Sequence, residues 1–292
     1  VRLDRGVYRR ADALDPLHDE LEAWLERLPA RAVLTGLTAA RVWELWLPPL
    51  PDDLPVFAAV PVGATHSRRA GVRVSRHPVV PRHRIVGGLP TASVPATLLA
   101  CARVLSLLDL VVLVDSALHR RLCTRAELEE AAATGLPGAP LLRRALGWSD
   151  ERAESAWEVL LRVLHRVCDV PVTPQVEIRD ADGAFVARVD LLVDGTATAQ
   201  EYDGADHLER RQYGRDRRRD SRLAGAGYVR HAWVKEEVLT RPVAILREAD
   251  RAIGRAHDPR RVRAWQALLD ASLFTTAGTT AFRARIRLPV PA

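Results

Sequence analysis

Asp190 and the run Glu201-Tyr202-Asp203 are the residues of this chain best placed to do chemistry. Carboxylates gathered at strand ends repel one another unless a cation or a proton joins them. They lie in FVARVDLLVDGTATAQEYDG, residues 185–204, where Val186, Arg188 and Asp190 alternate with Ala187, Val189 and Leu191. That is the period of a half-buried strand. Asp194-Gly195 is a two-residue hairpin signal, and Thr196 to Tyr202 reads as the returning strand. The pattern therefore predicts that the carboxylates of Asp190 and Glu201 converge at one end of a hairpin. A hard divalent metal, which takes oxygen ligands, is the group such a site would suit.

The elements around this hairpin read as a layered α+β unit. Ser149 or Asp150 is expected to cap a helix running to Val167, with Trp157, Leu160, Leu161 and Leu164 on one face. Pro171 and Pro174 are expected to break the chain before a short strand from Gln175 to Ile178. After the hairpin come a helix from Arg210 to Ala226 stopped by Gly227, a strand from Tyr228 to Val234 and a helix from Pro242 to Arg255. Residues 209–222 carry seven arginines against three acids, and Arg211, Arg215, Arg218 and Arg222 share one helical face. Such a face suits phosphate positioning. Tyr213, Asp216, Asp220 and Leu223 share the opposite face.

The first half mixes short strands and helices. Helices are expected over Pro16–Leu28, Thr38–Leu47 and Thr97–Val114, and strands over Pro55–Val62 and Gly71–His77. Thr124-Arg125-Ala126-Glu127 fits a capping box that opens a further helix. TGLPGAP, residues 134–140, is the clearest linker. Basic residues gather at His66, Arg68, Arg69, Arg73, Arg76, His77, Arg82, His83 and Arg84, a second stretch able to meet phosphate. No zinc-type histidine spacing and no P-loop accompany them.

Composition bounds the partners. The chain has 292 residues, a formal charge of +6 and a pI near 9.9, which favours a polyanionic partner. Lys235 is the single lysine among 43 basic residues, and arginine is the better fork for phosphate. Cys101, Cys123 and Cys168 are scattered, which argues against a disulfide framework and a zinc site. The apolar run Val104–Leu118 contains Asp109 and Asp115 and is too short to span a bilayer. No signal peptide is legible in VRLDRGVYRR, so a reducing cytoplasm is the expected location.

The order α-β-β-β-α-β, with Asp on one strand and Glu-x-x on the next, resembles the PD-(D/E)XK nuclease superfamily, and within it the very-short-patch-repair (Vsr-like) branch. The matching words are Ser155-x-x-Glu158-x-x-x-Arg162, Pro174-Gln175, Ala187-Arg188-Val189-Asp190-Leu191, Glu201-Tyr202-Asp203-Gly204, His207, and Arg219-Asp220-x-x-Leu223-x-x-x-Gly227-Tyr228. They cover about residues 150–250. The resemblance implies a mixed sheet flanked by helices, DNA as partner, and Mg²⁺ or Mn²⁺ held by Asp190, Glu201 and the backbone carbonyl of Tyr202. Where the superfamily has lysine this chain has Asp203, which leaves the general base unassigned. His207, four residues on, is the natural substitute. Glu158 either reaches the same metal or pairs with Arg162 one turn later.

GVYRR, LTGLTAARVWELWLP, GVRVSRH and GGLPTASVPATLLACARVL are similar to the body of AbiEi-type antitoxins. In that family a winged helix precedes the GVY segment; here the chain begins at GVY, so a DNA-reading module that is missing or reduced to a wing remnant is expected. The sequence as a whole predicts a smaller α+β domain over 1–140, a nuclease-type domain over 150–255 and an extension over 256–292. A metal-dependent DNA endonuclease or DNA-processing protein is the leading expectation. The alternative is a catalytically inactive nucleic-acid-binding regulator or antitoxin, with a toxin protein as a further partner.

Overall fold

In the computed structural model, residues 1–4, 6–65, 69, 71–204 and 219–288 are described. Contacts divide the chain into two units, Val1–Gly147 with Phe282–Ala292, and Trp148–Ala281. Residues 256–281 thus belong to the second unit and the last eleven to the first.

The first unit opens with a two-stranded antiparallel ribbon, β1 (Arg2–Asp4) and β2 (Val7–Tyr8). Helix α1 (Pro16–Leu25) follows, capped by Asp15, whose carboxylate accepts the Leu17 and His18 amides. Then come β3 (Val33–Leu34), α2 (Gly36–Val42), β4 (Val56–Pro61), β5 (Val72–His77), β6 (His83–Val86) and β7 (Leu89–Ala92). These strands form a mixed sheet in the order β5-β4-β3-β7-β6, with β4/β5 and β3/β7 parallel. Leu21 and Trp24 of α1 pack on Leu34, Val56, Ala58 and Val60 of the sheet to make the core.

The continuous helix expected over 97–114 is two helices, α3 (Val94–Cys101) and α4 (Leu107–His119). The reason is local. Ser106 and Asp109 form a reciprocal capping box that starts a new helix, with Ser106 Oγ accepting the Asp109 amide at 3.3 Å. The expected box at Thr124 is present, with the Thr124 amide donating to Glu127 at 2.7 Å, and it opens α5 (Arg125–Ala133). Helix α6 (Ala139–Trp148) starts within the segment read as a linker.

The second unit begins with α7 (Ala156–Val167). Its cap is Ser155, not Ser149 or Asp150; Asp150 instead holds Arg152 at 2.8 Å. Strand β8 (Val172–Arg179) runs through Pro174 rather than breaking there. It lies at the edge of the sheet, where a missing N–H costs no ladder bond. Strands β9 (Phe185–Val193) and β10 (Thr198–Tyr202) form the hairpin, but the turn takes four residues, 194–197, and β10 starts two residues later than expected. Gly195 there adopts φ +72°, which favours glycine. Helix α8, described over 219–225, leads to β11 (Val229–Trp233), parallel to β10. The sheet order is β11-β10-β9-β8. Helices α9 (Lys235–Thr240), α10 (Pro242–Ala252), α11 (Val262–Asp270) and α12 (Thr276–Arg285) follow, with α9 absent from the sequence reading. Among the described residues no helix is long and apolar enough to cross a membrane. The chain is a mixed α/β protein of α+β character.

Candidate functional site

The site is set by the register of β9 and β10. Ala199 pairs with Leu192 and Gln200 with Leu191, so the next rung sets Glu201 opposite Asp190. Residues directly opposite in an antiparallel pair share a face, and here it is the face of Ala199 and Leu192, which pack with Leu223 of α8. At that rung the backbone ladder stops. The Tyr202 amide donates instead to the Asp190 carboxylate, Oδ2, at 2.9 Å. On the other side of β9, Pro174 pairs with Leu191 and Val176 with Val189, which leaves Gln175 level with Asp190. Gln175 has φ +54°, an uncommon conformation for a residue with a side chain. Its amide donates to Glu158 at 2.9 Å.

Glu158 stands on the first turn of α7, nine-tenths buried. Its carboxylate also accepts the Ser155 hydroxyl at 2.9 Å and the Glu154 amide at 2.8 Å. The proposed ion partner Arg162 donates to the Trp148 carbonyl at 2.6 Å. Burial pushes the Asp190 carboxyl up to about 7, and the negative charges of Glu158 and Glu201 push it the same way; the Tyr202 amide and Arg219 pull against them. Three acids therefore bear on one another at the end of the hairpin.

Glu201 is 2 % exposed and neutralised by arginines. Arg219 of α8 reaches Oε1 at 2.7 Å, and Arg230 of β11 donates to Oε2. Arg230 also holds Asp220 at 3.0 Å, and Arg219 reaches the Arg188 carbonyl at 2.6 Å. Neither Arg219 nor Arg230 was singled out for the site by sequence reasoning. The signal for Arg219 was its place in the Arg-Asp-x-x-Leu word; Arg230 is brought in by the parallel pairing of β11 with β10, which no local pattern reveals.

Of the other expected site residues, Tyr202 stacks on Trp157 of α7 at 5.6 Å between ring centres. The Asp203 amide donates to the Trp233 carbonyl at 2.9 Å. Arg222 donates to the Phe185 carbonyl at 2.8 Å, which ties α8 to the start of β9. His207, Arg211, Arg215 and Arg218 lie outside the described residues, as do His66 and Arg68.

Among the described residues, the one cluster whose ligand atoms all lie within 4.8 Å of one another is His18, Asp19 and Glu22 on α1. Its His18 ring already meets the Gly87 carbonyl at 2.6 Å, and adjacent helical acids alone do not make a metal site. Glu158, Asp190 and Glu201 are not drawn that tightly together. They supply the oxygen donors that a hard cation takes, but Glu201 spends both oxygens on arginine. Compared with family models, with curated proteins and with solved structures, the chain matches none.

Proposed function

We propose that the second unit is a nuclease-type domain of the PD-(D/E)XK kind, acting on phosphodiester bonds of DNA through the Glu158–Asp190–Glu201 cluster. The observation that carries this reading is Asp190. A carboxyl held up to about 7 by burial and by two acidic neighbours is a group waiting for a cation or a proton. The order α7-β8-β9-β10-α8-β11 around it supports the same reading.

A divalent metal such as Mg²⁺ or Mn²⁺ bound there would supply an activated water and offset phosphate charge. Asp190, Glu201 and the Tyr202 carbonyl are the groups assigned to hold it, with Glu158 as a further ligand. Arg219 and Arg230 hold the Glu201 carboxylate in place. Asp203 and His207 follow the site in sequence, and His207 is assigned the role of proton acceptor. Arg211, Arg215, Arg218 and Arg222 are assigned to the DNA backbone.

A second reading rests on a specific observation: Glu201 is satisfied by two arginines, and Asp203 stands where the superfamily places lysine. On that reading the fold binds nucleic acid without cutting it, as a regulator or antitoxin. Incubation with single- and double-stranded DNA in Mg²⁺ or Mn²⁺ separates the two. The nuclease reading expects cleavage that Asp190→Asn abolishes with DNA binding retained, and a fall of roughly 10²–10⁴ in rate for His207→Ala. Inactive wild-type protein on every DNA form leaves the regulator.

A further inference from the structure

A separate feature of the first unit is a cavity of about 1530 Å³. It lies between β5, the segment 78–84, the end of α3 and α5, and residues 285–286 also line it. Six arginines contributed by four stretches of sequence converge on it: Arg73, Arg76, Arg82, Arg84, Arg103 and Arg285. All six are exposed. Against them stand Glu127 and Glu130, which leaves a net of four positive charges on the lining. The sequence offered residues 73–84 as a linear basic run; Arg103 and Arg285 join it only through the fold.

The arginines divide into two kinds. Arg73 donates to the Ile286 carbonyl and Arg285 to the Val104 carbonyl, so these two brace the wall. Arg82 and Arg103 make no side-chain hydrogen bond or ion pair with any described residue. Uncommitted guanidinium groups of like charge around one cavity have no stabilising role that is visible, and mutual repulsion makes their grouping unfavourable without an anion. The pKa of His77, which also lines the cavity, is lowered by burial and then by the charge of Arg103, as expected of an electropositive enclosure. Beside the arginines lies an apolar wall: Val79 is 81 % and Leu136 55 % exposed, and both line the cavity.

We propose that this cavity binds a single-stranded nucleic acid segment, with its phosphates on Arg82 and Arg103 and its bases against the apolar wall. The cavity is larger than the ~300–1,000 Å³ usual for small-ligand pockets, which favours an extended chain over a small phosphorylated molecule. A positive groove that tracks the backbone, with aromatic faces for the bases, is what sequence-tolerant single-strand binding uses, and Trp43 and Phe57 also line this cavity. The choice of nucleic acid over an acidic polypeptide rests on the reading of the second unit given above. The binding itself requires neither metal nor Asp190.

The test is fluorescence anisotropy of a labelled twelve-nucleotide oligothymidylate with the full chain carrying Asp190→Asn, in EDTA. Adding Arg82→Glu and Arg103→Glu together is expected to weaken binding at least tenfold. The milder Arg82→Gln and Arg103→Gln pair should weaken it about threefold and reduce the slope of log affinity against log salt by about 1.4, at ~0.7 per phosphate for single strands. Both positions are exposed, so thermal melting should be unchanged. Unchanged affinity in both pairs, a loss of duplex affinity in these variants as large as that for the oligothymidylate, or tighter binding to an oligoglutamate peptide overturns the proposal. Cleavage by protein bearing Asp190, measured separately, stands or falls independently of this result.

Discussion

Asp190 and Asp250 belong to the same unit and neither is exposed, yet their surroundings are electrically opposite. Asp250 of α10 is fully buried, and burial alone would raise its pKa. His257 at 2.9 Å, Arg255 at 2.6 Å and Arg261 at 2.7 Å outweigh that and hold it below the ordinary carboxylate range. Asp190 has Glu158, Glu201 and Arg219 as its charged neighbours, two acids against one base, and among the described residues its one hydrogen bond is from a backbone amide. The first arrangement surrounds its acid with basic partners, as a structural cluster does. The second leaves an acid among acids, an arrangement that costs stability and is found where a group is to meet something else. Glu201 sits between the two cases: it adjoins Asp190 yet is paired, like Asp250, with two arginines.

Replacing each of these acids measures which side of the comparison it belongs to. The largest effect is expected at Asp250. Asp250→Asn leaves Arg255, Arg261 and His257 around a neutral amide and should cost ~3–5 kcal/mol in chemical denaturation. Its pKa is depressed in the fold, so the stabilisation is present above the unfolded pKa and is lost as pH falls through the folded value. A cost below ~1 kcal/mol would remove Asp250 as the structural reference.

Glu201→Gln comes next, with an expected loss of ~2 kcal/mol, because Arg230 keeps Asp220 while Arg219 is left with the Arg188 carbonyl. If the variant is instead more stable than wild type, the two arginines do not hold Glu201 in solution.

Asp190→Asn carries the opposite sign and a magnitude no larger than that of Glu201→Gln. The folded pKa of about 7 lies above the ordinary 3.8, so stability is present at low pH and is lost as pH rises towards 7. The asparagine variant should match wild type near pH 4 and exceed it at pH 8 by ~2 kcal/mol, short of the ~4 kcal/mol ceiling because the carboxyl keeps some contact with solvent. Denaturation curves at the two pH values check this, and a variant less stable than wild type at pH 8 would place Asp190 with Asp250.

Much of this arrangement was legible in local pattern. The alternation over 185–191 put Asp190 on a strand, the Asp194-Gly195 signal turned the chain, and Thr124 with Glu127 gave a helix start. What escaped was set by pairing between distant residues or by competing caps. Ser155 won over Ser149 because Glu158, three residues on, completes its bonds. Pro174 stayed in a strand because β8 is an edge. The Ser106 box divided an apolar run whose composition alone reads as one helix. The arginine cap on Glu201 required β11 to lie parallel to β10, a fact of topology that leaves no trace in the spacing of residues.

If the acids at the end of the β9–β10 hairpin form a cation site rather than a structural cluster, the protein must take up a divalent metal there. Calorimetric titration of the whole chain with Mn²⁺ at pH 8 and at pH 6 tests it most directly. Saturable heat is expected at pH 8, weaker affinity at pH 6 where Asp190 must first give up its proton, and no heat for Asp190→Asn at either pH. Absence of heat from the wild-type protein at pH 8, or equal heats from wild type and Asp190→Asn, would contradict it.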